Sequence, residues 1–366
     1  MATNLEAFPP DPRAAPAQPG EDRLRLFYYG VTTNFGDHMN AWLWPRLLPS
    51  LIGGSADEVL VGIGSLIKAD LGKVPGRKVI FGTGSGYGPM PYPEEVTDWR
   101  IYCVRGPLTA RLLNLDPEKA VVDGAWLVDE LPDMRYQPGS RSGTVFVPHW
   151  TTDIYANWRQ PCQAAGIGYV SPLLPGVEVF ERIANARLAI VESLHGAIMA
   201  DYYRVPWIPV ASDGRVLSFK WLDFCMSLSL RYRPIRLPQT DMVERLFAGP
   251  ARPWAGAVEY LPEAHESQFK AVGFAAQAAP TAAYRLKVRA KAAARPLRNA
   301  GLAGVQALRA SPMLRAANQR RSDQLATLLT RIAQEPASLS DDAIRAEKLD
   351  RLRAALGTMR AHYGAA

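Results

Sequence analysis

The feature that most constrains the fold is a short apolar run that recurs along the chain, each time followed by turn or helix residues. It appears first in "RLRLFYYG", "EVLVGIG", "KVIFGTG", "IYCVRGP" and "AVVDG", and later in "TVFVPHW", "LAIVESLHG" and "PWIPVASDG". Short buried strands that alternate with helices are typical of parallel sheets with helices on both faces. The sequence therefore predicts an α/β fold with two doubly wound, Rossmann-like lobes that face one another across a cleft.

Changes in composition predict where these lobes begin and end. The chain has 366 residues, enough for two domains. The polar, Gly-containing stretch "MRYQPGSRSG" places a boundary near residue 140, which gives lobes at 24–140 and 141–248. Residues 1–23 carry acids where a signal peptide needs a basic start, so we expect a disordered leader and a cytoplasmic protein. Residues 249–366 are predicted to form a basic helical extension that ends in an amphipathic helix.

Charge and cysteine content narrow the function classes. The net charge is +7, yet eleven Lys or Arg and no Asp or Glu lie between Ser267 and Ser322, so the rest of the chain is net acidic. The three cysteines are scattered, which predicts buried thiols and neither a disulfide framework nor a metal cluster. The sequence has no apolar run of about eighteen residues, the length that a membrane-spanning helix needs.

Polar and glycine residues at the predicted strand ends of the first lobe are candidate site residues, because ligands bind there in such folds. Asn34 and Asp37 flank a glycine turn and can bond the start of the next helix. The turn containing Gly84 and Ser85 matches neither a P-loop nor a dinucleotide fingerprint, but its amides could approach an anion. Arg105 could hold a carboxylate or phosphate at a helix start. A loop, a cap or a surface arginine is the structural alternative for each.

The second lobe offers the sharpest candidate. His195 lies between an apolar strand and a helix that opens with glycine, where an acid–base catalyst would meet a substrate. Glu192 could orient its ring or balance its charge. His149 has the same strand-end position, Lys220 is a candidate anion contact, and Asp123 occupies a strand end in the first lobe. Structural roles compete with each of these interpretations.

Taken in order, the Asn-Phe-Gly-Asp turn, the Gly-Ser turns, "VRGPLTARLL", "VVDGAWL" and "ESLHGAIMADYYRVPWI" resemble the polysaccharide pyruvyl transferase family, most closely its exopolysaccharide ketalase branch. The resemblance extends from about Leu24 to Leu230. It implies a GT-B-like fold and an enzyme that takes a pyruvyl unit from phosphoenolpyruvate, builds a cyclic ketal on a sugar and releases phosphate. It implies no cofactor and no metal.

The resemblance also implies roles for individual residues. His195 matches the family's catalytic histidine, and Arg105 matches its donor-binding arginine. The remaining assignments are Lys220, Gly84 and Ser85 to phosphoenolpyruvate, and Asn34, Asp37, Asp123, His149, Glu192 and Ser193 to the supporting or acceptor cleft. Many family members carry Arg where this chain has Ser193, so another cation, Lys220 or Arg215, is expected to replace it.

The expected partners are phosphoenolpyruvate and a lipid-linked or polymeric glycan. The basic segment 281–321 could lie on an anionic membrane at the inner face, or could pack on the body as helices. Nucleic-acid binding is not expected, because no aromatic residues are interleaved with the arginines. Two other readings stay open: a GT-B-type glycosyltransferase that uses a nucleotide sugar, and a glycan-binding scaffold.

Overall fold

The computed structural model describes most of both predicted lobes and the end of the chain. The described residues are 24–30, 34–53, 57–86, 91, 93–136, 139–213, 216–248, 309 and 311–365. The predicted leader 1–23 lies outside this set, as does most of the segment from 249 to 310. Within the described part of the chain, no helix is long and apolar enough to cross a membrane.

A four-stranded parallel sheet forms the N-terminal lobe, residues 24–136, with its strands in chain order. The strands are β1 Arg25–Phe27, β2 Glu58–Val61, β3 Arg77–Phe81 and β4 Arg100–Cys103. The order does not reverse anywhere, which differs from a doubly wound sheet. The run "AVV", predicted as a strand, makes only a single bridge between Val104 and Ala120, because the chain turns into a 3-10 helix at Gly124.

A five-stranded parallel sheet forms the C-terminal lobe, residues 139–248, in the order β6-β5-β7-β8-β9. The strands are β5 Ser142–Val147, β6 Gly168–Tyr169, β7 Ala186–Val191, β8 Trp207–Ala211 and β9 Ile235–Arg236. This order is that of a doubly wound sheet, and it reverses between β5 and β7. A crevice for ligands is therefore expected where these two strands end.

Helices cover both sheets. They are α1 Phe35–Leu47, α2 Ala69–Gly72, α3 Pro93–Val96, α4 Pro107–Leu112, α5 Trp150–Asp153, α6 Arg159–Ala164, α7 Gly176–Ala184, α8 Leu194–Tyr202, α9 Ser218–Ser227, α10 Met242–Ala248, α11 Pro312–Ile332 and α12 Asp342–His362. Three 3-10 helices, Pro117–Lys119, Gly124–Glu130 and Pro132–Met134, lie between β4 and β5. The two α/β lobes predicted from the strand pattern are thus present.

The buried apolar side chains form one large cluster between the lobes and two smaller clusters on the outer faces. The large cluster joins α1, the 3-10 helix Gly124–Glu130, α7, α8 and α12. Within it, Trp42 of one lobe and Phe180 of the other have ring centroids 6.1 Å apart. The outer clusters pack α2 and α4 on the first sheet, and α6 and α11 on the second. The lobes therefore share a core.

The last two helices belong to these cores and do not form a separate extension. Leu329 of α11 is buried on the C-terminal sheet, and Leu352 of α12 is buried in the large cluster. Between the helices, Ser338 forms an antiparallel bridge with Trp207 of β8. The predicted amphipathic helix at the end of the chain is α12, and it packs on the N-terminal lobe, where Arg100 and Tyr363 are hydrogen-bonded at 2.7 Å.

Candidate active site

The ends of β5, β7 and β8 are held together by one carboxylate. Glu192, just after β7, accepts hydrogen bonds from the backbone N–H of His149 at 3.0 Å and of Ser212 at 2.6 Å, and from the hydroxyls of Thr152 and Ser212. Both oxygens are directed at the strand ends, and within the described residues no hydrogen bond joins Glu192 to the His195 ring. In the structure, Glu192 therefore fixes the strand ends at the crevice through hydrogen bonds and does not orient the His195 ring.

His195 lies in the first turn of α8, the helix that follows Glu192. Ser193 caps α8 by accepting a hydrogen bond from the N–H of Gly196, so the position where many family members carry Arg is used here as a helix cap. The His195 ring lies directly on Gly36 of α1: a Cβ added to Gly36 would be 1.9 Å from Nδ1. The glycine of the Asn-Phe-Gly-Asp turn is thus required by a residue 159 positions away.

The charge state of His195 follows from its surroundings. Burial, the largest cause, and the nearby positive charges of Lys220 and Arg105 together lower its pKa to about 3. The ring is therefore neutral near pH 7. Its Nε2 is buried and has no hydrogen-bond partner in the part of the chain that the structure describes. An unpartnered, neutral imidazole beside two cations can take up a proton when an anion binds.

Lys220 is positioned by α9, on which it lies, and by a contact with His149. The Nζ of Lys220 is 3.3 Å from Nε2 of His149, and Nδ1 of His149 is 2.7 Å from the hydroxyl of Thr151. Because an ammonium only donates, Nε2 of His149 is the acceptor in this contact. Lys220 is buried, with 6% of its surface exposed. His149 therefore positions a buried cation, as well as ending β5.

Arg105 is fully buried. Its Nε donates to Asp223 at 3.1 Å, Nη1 donates to Gly64 O at 3.3 Å and Ser65 Oγ at 2.9 Å, and Nη2 donates to Ser85 O at 2.9 Å. Four of its five N–H groups are thus used within the protein. Arg105 and Asp223 form a buried ion pair between the two lobes.

The Gly84–Ser85 turn packs against the Arg105 side chain. A Cβ at Gly84 would lie 2.3 Å from the guanidinium carbon, so glycine lets the guanidinium rest on the backbone. The amide of Gly84 donates to Gly64 O at 3.0 Å, and that of Ser85 donates to Thr109 Oγ1 at 2.9 Å. These amides are directed into the protein. Assignment of the turn to donor binding stays a prediction that rests on the resemblance.

The Asn-Phe-Gly-Asp turn forms the start of α1, as predicted. Asn34 caps the helix through a hydrogen bond from the N–H of Gly36, and its amide donates to Asp37 at 2.9 Å. Burial raises the pKa of Asp37 to about 6, although the Asn34 bond and the charge of Lys220 lower it. Asp37 is next to the glycine that carries the His195 ring, so it lies at the same cleft.

Asp123 lies at the end of the segment after β4. Its Oδ1 accepts a hydrogen bond from Ala125 N at 3.0 Å and caps the 3-10 helix, while Oδ2 is buried with no partner among the described residues. Burial raises the pKa of Asp123 to about 7; Arg105 lowers it, and Asp223 and Asp37 raise it. Like Nε2 of His195, Oδ2 of Asp123 is therefore a buried atom that can exchange a proton and has no partner among the described residues.

Sequence reasoning missed Asp223, the residue that fixes Arg105. Asp223 also accepts hydrogen bonds from the backbone N–H of Thr109 at 2.9 Å and from its hydroxyl at 2.7 Å. A local signal existed: Asp223 follows Lys220 by three residues in a helix-like run, which places both on one face of α9. The described residues contain no group of three His, Cys, Asp or Glu that could hold a metal ion.

The fold and site define a class of protein: a two-lobed α/β protein that buries proton-exchanging and cationic side chains at its strand ends. The chain is 38% identical over 223 residues to the succinoglycan biosynthesis protein ExoV of Rhizobium meliloti (strain 1021). That match covers 60% of this chain and 69% of the relative. The chain therefore belongs to the polysaccharide pyruvyl transferase family and is an enzyme of that family. No family model matches the chain, and no solved structure is similar to it.

Proposed function

We propose that this enzyme transfers the pyruvyl unit of phosphoenolpyruvate to two hydroxyls of a sugar in a surface polysaccharide or its lipid-linked precursor. The products are a cyclic pyruvate ketal and phosphate. The observation that carries the proposal is His195, a buried neutral imidazole with an unpartnered Nε2 between Lys220 and Arg105. The relative is a succinoglycan biosynthesis protein, which favours a glycan acceptor.

The donor explains why a neutral histidine is useful. Phosphoenolpyruvate is a multiply charged anion, and its binding beside His195 offsets the positive charges of Lys220 and Arg105. The pKa of His195 therefore rises on binding, and the ring takes up a proton. The protonated ring then acts as the general acid that protonates the enol carbon, which leaves positive charge on the carbon that bears the phosphate.

Two cations hold the donor in this proposal. Lys220 supplies the charge that is absent at Ser193, and His149 fixes its position. Arg105 has one N–H beyond the four used within the protein, and its charge lowers the cost of placing an anion in a buried cleft. Glu192 and Ser193 support the crevice by holding the strand ends and the start of α8.

The test is calorimetric titration of phosphoenolpyruvate in two buffers of different ionisation enthalpy, with phosphate release measured in the presence of succinoglycan oligosaccharides. We expect saturable binding with proton uptake near pH 7. His195→Gln should abolish the uptake and lower phosphate release by about 10² or more. Lys220→Met should weaken donor binding by about tenfold or more, or about 1.4 kcal/mol.

Matched controls separate these effects from general damage. His362→Gln and Lys73→Met change a terminal histidine and an exposed lysine outside the cleft, so both should behave as wild type. Binding of a nucleotide sugar with none of phosphoenolpyruvate would replace the proposal with a glycosyltransferase. Binding of glycan without acceptor-dependent phosphate release would point to a scaffold.

We also propose that the basic segment brings the enzyme to an anionic membrane surface, where a lipid-linked acceptor would lie. Only part of 281–321 is available for membrane binding. Arg309 donates a hydrogen bond to Asp241, and Arg321 donates to Gln239 O at 3.0 Å. Deletion of 281–308 keeps α11 and α12 intact. It should abolish binding to vesicles that contain phosphatidylglycerol, and undiminished binding would exclude the segment as the anchor.

A further inference from the structure

Two buried atoms of the cleft, one from each lobe, can exchange a proton and lack a hydrogen-bond partner among the described residues. They are Nε2 of His195 in the C-terminal lobe and Oδ2 of Asp123 in the N-terminal lobe. A buried polar atom without a partner costs about 1–3 kcal/mol, so its retention indicates a missing ligand atom or a chemical role. Under the proposed function His195 acts on the donor, which leaves Asp123 to be explained.

The structure places Asp123 beside the helix that carries His195. Trp126, three residues after Asp123, donates its indole N–H to the carbonyl of Ile198, three residues after His195, at 3.0 Å. The starts of the 3-10 helix Gly124–Glu130 and of α8 therefore lie side by side. On the other side, Gly82, with a φ of +69°, lets the end of β3 approach the start of this 3-10 helix, because a Cβ there would lie 2.5 Å from Gly124.

One oxygen of Asp123 is fixed, and the other is left for a substrate. The bond from Ala125 N to Oδ1 holds the carboxyl group in one orientation. Asp223 differs, since its two oxygens accept bonds from Arg105 and Thr109. Both oxygens of Glu192 are likewise occupied. Of these three buried carboxylates at the cleft, only Asp123 presents an unpartnered oxygen.

We infer that Asp123 is a catalytic residue that accepts the proton of the attacking sugar hydroxyl. This inference rests on the proposed function, which needs a group on the acceptor side that no residue yet supplies. The donor contacts of the proposed function come from both lobes, His195 and Lys220 from the C-terminal lobe and Arg105 from the N-terminal lobe. Asp123 comes from the N-terminal lobe, and its buried Oδ2 is a proton-accepting atom with no hydrogen-bond partner among the described residues.

The proton and electron balance closes with these two residues. The imidazolium of His195 gives its proton to the enol carbon, and an oxygen lone pair of the first hydroxyl forms the bond to the adjacent carbon while its proton passes to Asp123. The carbon–phosphate oxygen bond then breaks, its electron pair leaves with phosphate, and Asp123 returns the proton to that oxygen. The second hydroxyl closes the ketal and reprotonates His195. Both residues end in their starting states.

The charges around Asp123 come from three elements and suit this role. Arg105 at the end of β4 lowers its pKa, while Asp223 on α9 and Asp37 on α1 raise it, and burial sets the value of about 7. A base with this pKa is ionised above neutrality and still able to return its proton. Asp37, with a pKa of about 6, titrates in the same cleft, so the Asp123 contribution must be isolated by substitution.

The test compares Asp123→Asn with wild type for phosphoenolpyruvate binding and acceptor-dependent phosphate release across pH 5–9. Asparagine keeps the capping oxygen and cannot accept the proton. We expect turnover to fall by about 10²–10⁴ with donor affinity near the wild-type value. The acidic limb of the wild-type profile, where activity falls as Asp123 becomes protonated below about pH 7, should be lost in the variant.

Asp116→Asn is the matched control, because Asp116 caps another 3-10 helix through Glu118 N but is remote from the cleft. Asp123→Ser is a second variant: serine can also cap the helix but cannot take up the proton, so it shows whether an effect of Asp123→Asn is specific to asparagine. Turnover in either Asp123 variant close to wild type, or an unchanged acidic limb, would refute the base while leaving the transferase intact. Absence of turnover in wild type would instead refute the proposed function.

Discussion

At the scale of single residues, the glycines of this chain define the site by what packs on them. Gly36 carries the His195 ring, and Gly84 carries the Arg105 guanidinium. Gly106 lies against Asp223: a Cβ there would be 2.1 Å from the Asp223 carbonyl oxygen. Each contact joins two motifs that are distant in sequence. The glycines therefore fix the distances between catalytic candidates, a role that differs from binding a ligand with backbone amides.

Gly36→Ala tests this directly. The new Cβ would overlap Nδ1, Cγ and Cβ of His195, and the buried ring has to move. We expect phosphate release to fall by about 10² or more, since a displacement of about 1 Å is sufficient for such a loss. The cost in unfolding free energy should be about 1–3 kcal/mol, as for other overpacked sites. Phosphate release and urea unfolding measure the two effects.

Gly357→Ala is the control for a helical glycine. No atom lies within 4 Å of its added Cβ, so the change should leave activity unaltered and stabilise α12 by about 1 kcal/mol. Full activity in Gly36→Ala would show that the site tolerates a shifted His195 ring and would count against its catalytic role.

The buried carboxyl of Asp123 makes a second prediction, for stability against pH. Its folded-state pKa of about 7 is above the ordinary value of 3.8, so the folded protein binds more protons than the unfolded chain between these values. Its contribution to stability is therefore present at low pH and is lost as pH rises through about 7. At about 1.4 kcal/mol per pKa unit, that loss is on the order of a few kcal/mol.

Urea unfolding of wild type and Asp123→Asn at pH 5 and pH 8 measures this contribution. The variant should lose less stability than wild type between the two pH values. The comparison is needed because His195, whose folded-state pKa is lowered to about 3, acts in the opposite direction between that value and about 6.5. Equal pH dependence in the two proteins would contradict the burial of an ionisable Asp123.

At the scale of elements, local sequence patterns predicted individual strands and helices. Apolar runs predicted β5 and β7 and placed His149 and His195 at their ends. Apolar residues at three- and four-residue spacing, after a capping Ser and Asp, predicted α12. The same reasoning failed at "AVV", because a buried apolar run can also continue into a 3-10 helix when no free strand edge pairs with it over more than one residue.

Long-range pairing had no comparable signal. Arg105 and Asp223 are 118 residues apart, and neither local run indicates the other. The docking of α12 on the N-terminal lobe likewise depends on partners far along the chain: Arg360 donates to Leu47 O at 3.0 Å. Glu192 lay within a recognised motif, yet its partners Thr152 and Ser212 come from other strand ends. Local sequence patterns therefore do not indicate these contacts.

At the scale of the whole molecule, the two lobes are joined in three ways. One apolar cluster spans both, Arg105 and Asp223 form an ion pair between them, and the chain passes from α11 on one lobe to α12 on the other. Between these helices, Ser340 donates to Asp201 at the end of α8, the helix that begins at Leu194 before His195. The segment from α11 to α12 thus holds α8 and the N-terminal lobe together.

This linkage predicts that the lobes unfold together. In urea, tryptophan fluorescence and far-UV circular dichroism should give coincident transitions, because neither lobe keeps its core when the shared cluster opens. Leu352→Ala removes a side chain of α12 that is fully buried in this cluster, at an expected cost of about 2–5 kcal/mol, and should move both transitions to the same lower urea concentration. Thr358→Ala, on the exposed face of α12, should move neither. Two separate transitions, or a shift of only one in Leu352→Ala, would show that the lobes are independent domains and that α12 stabilises a single lobe.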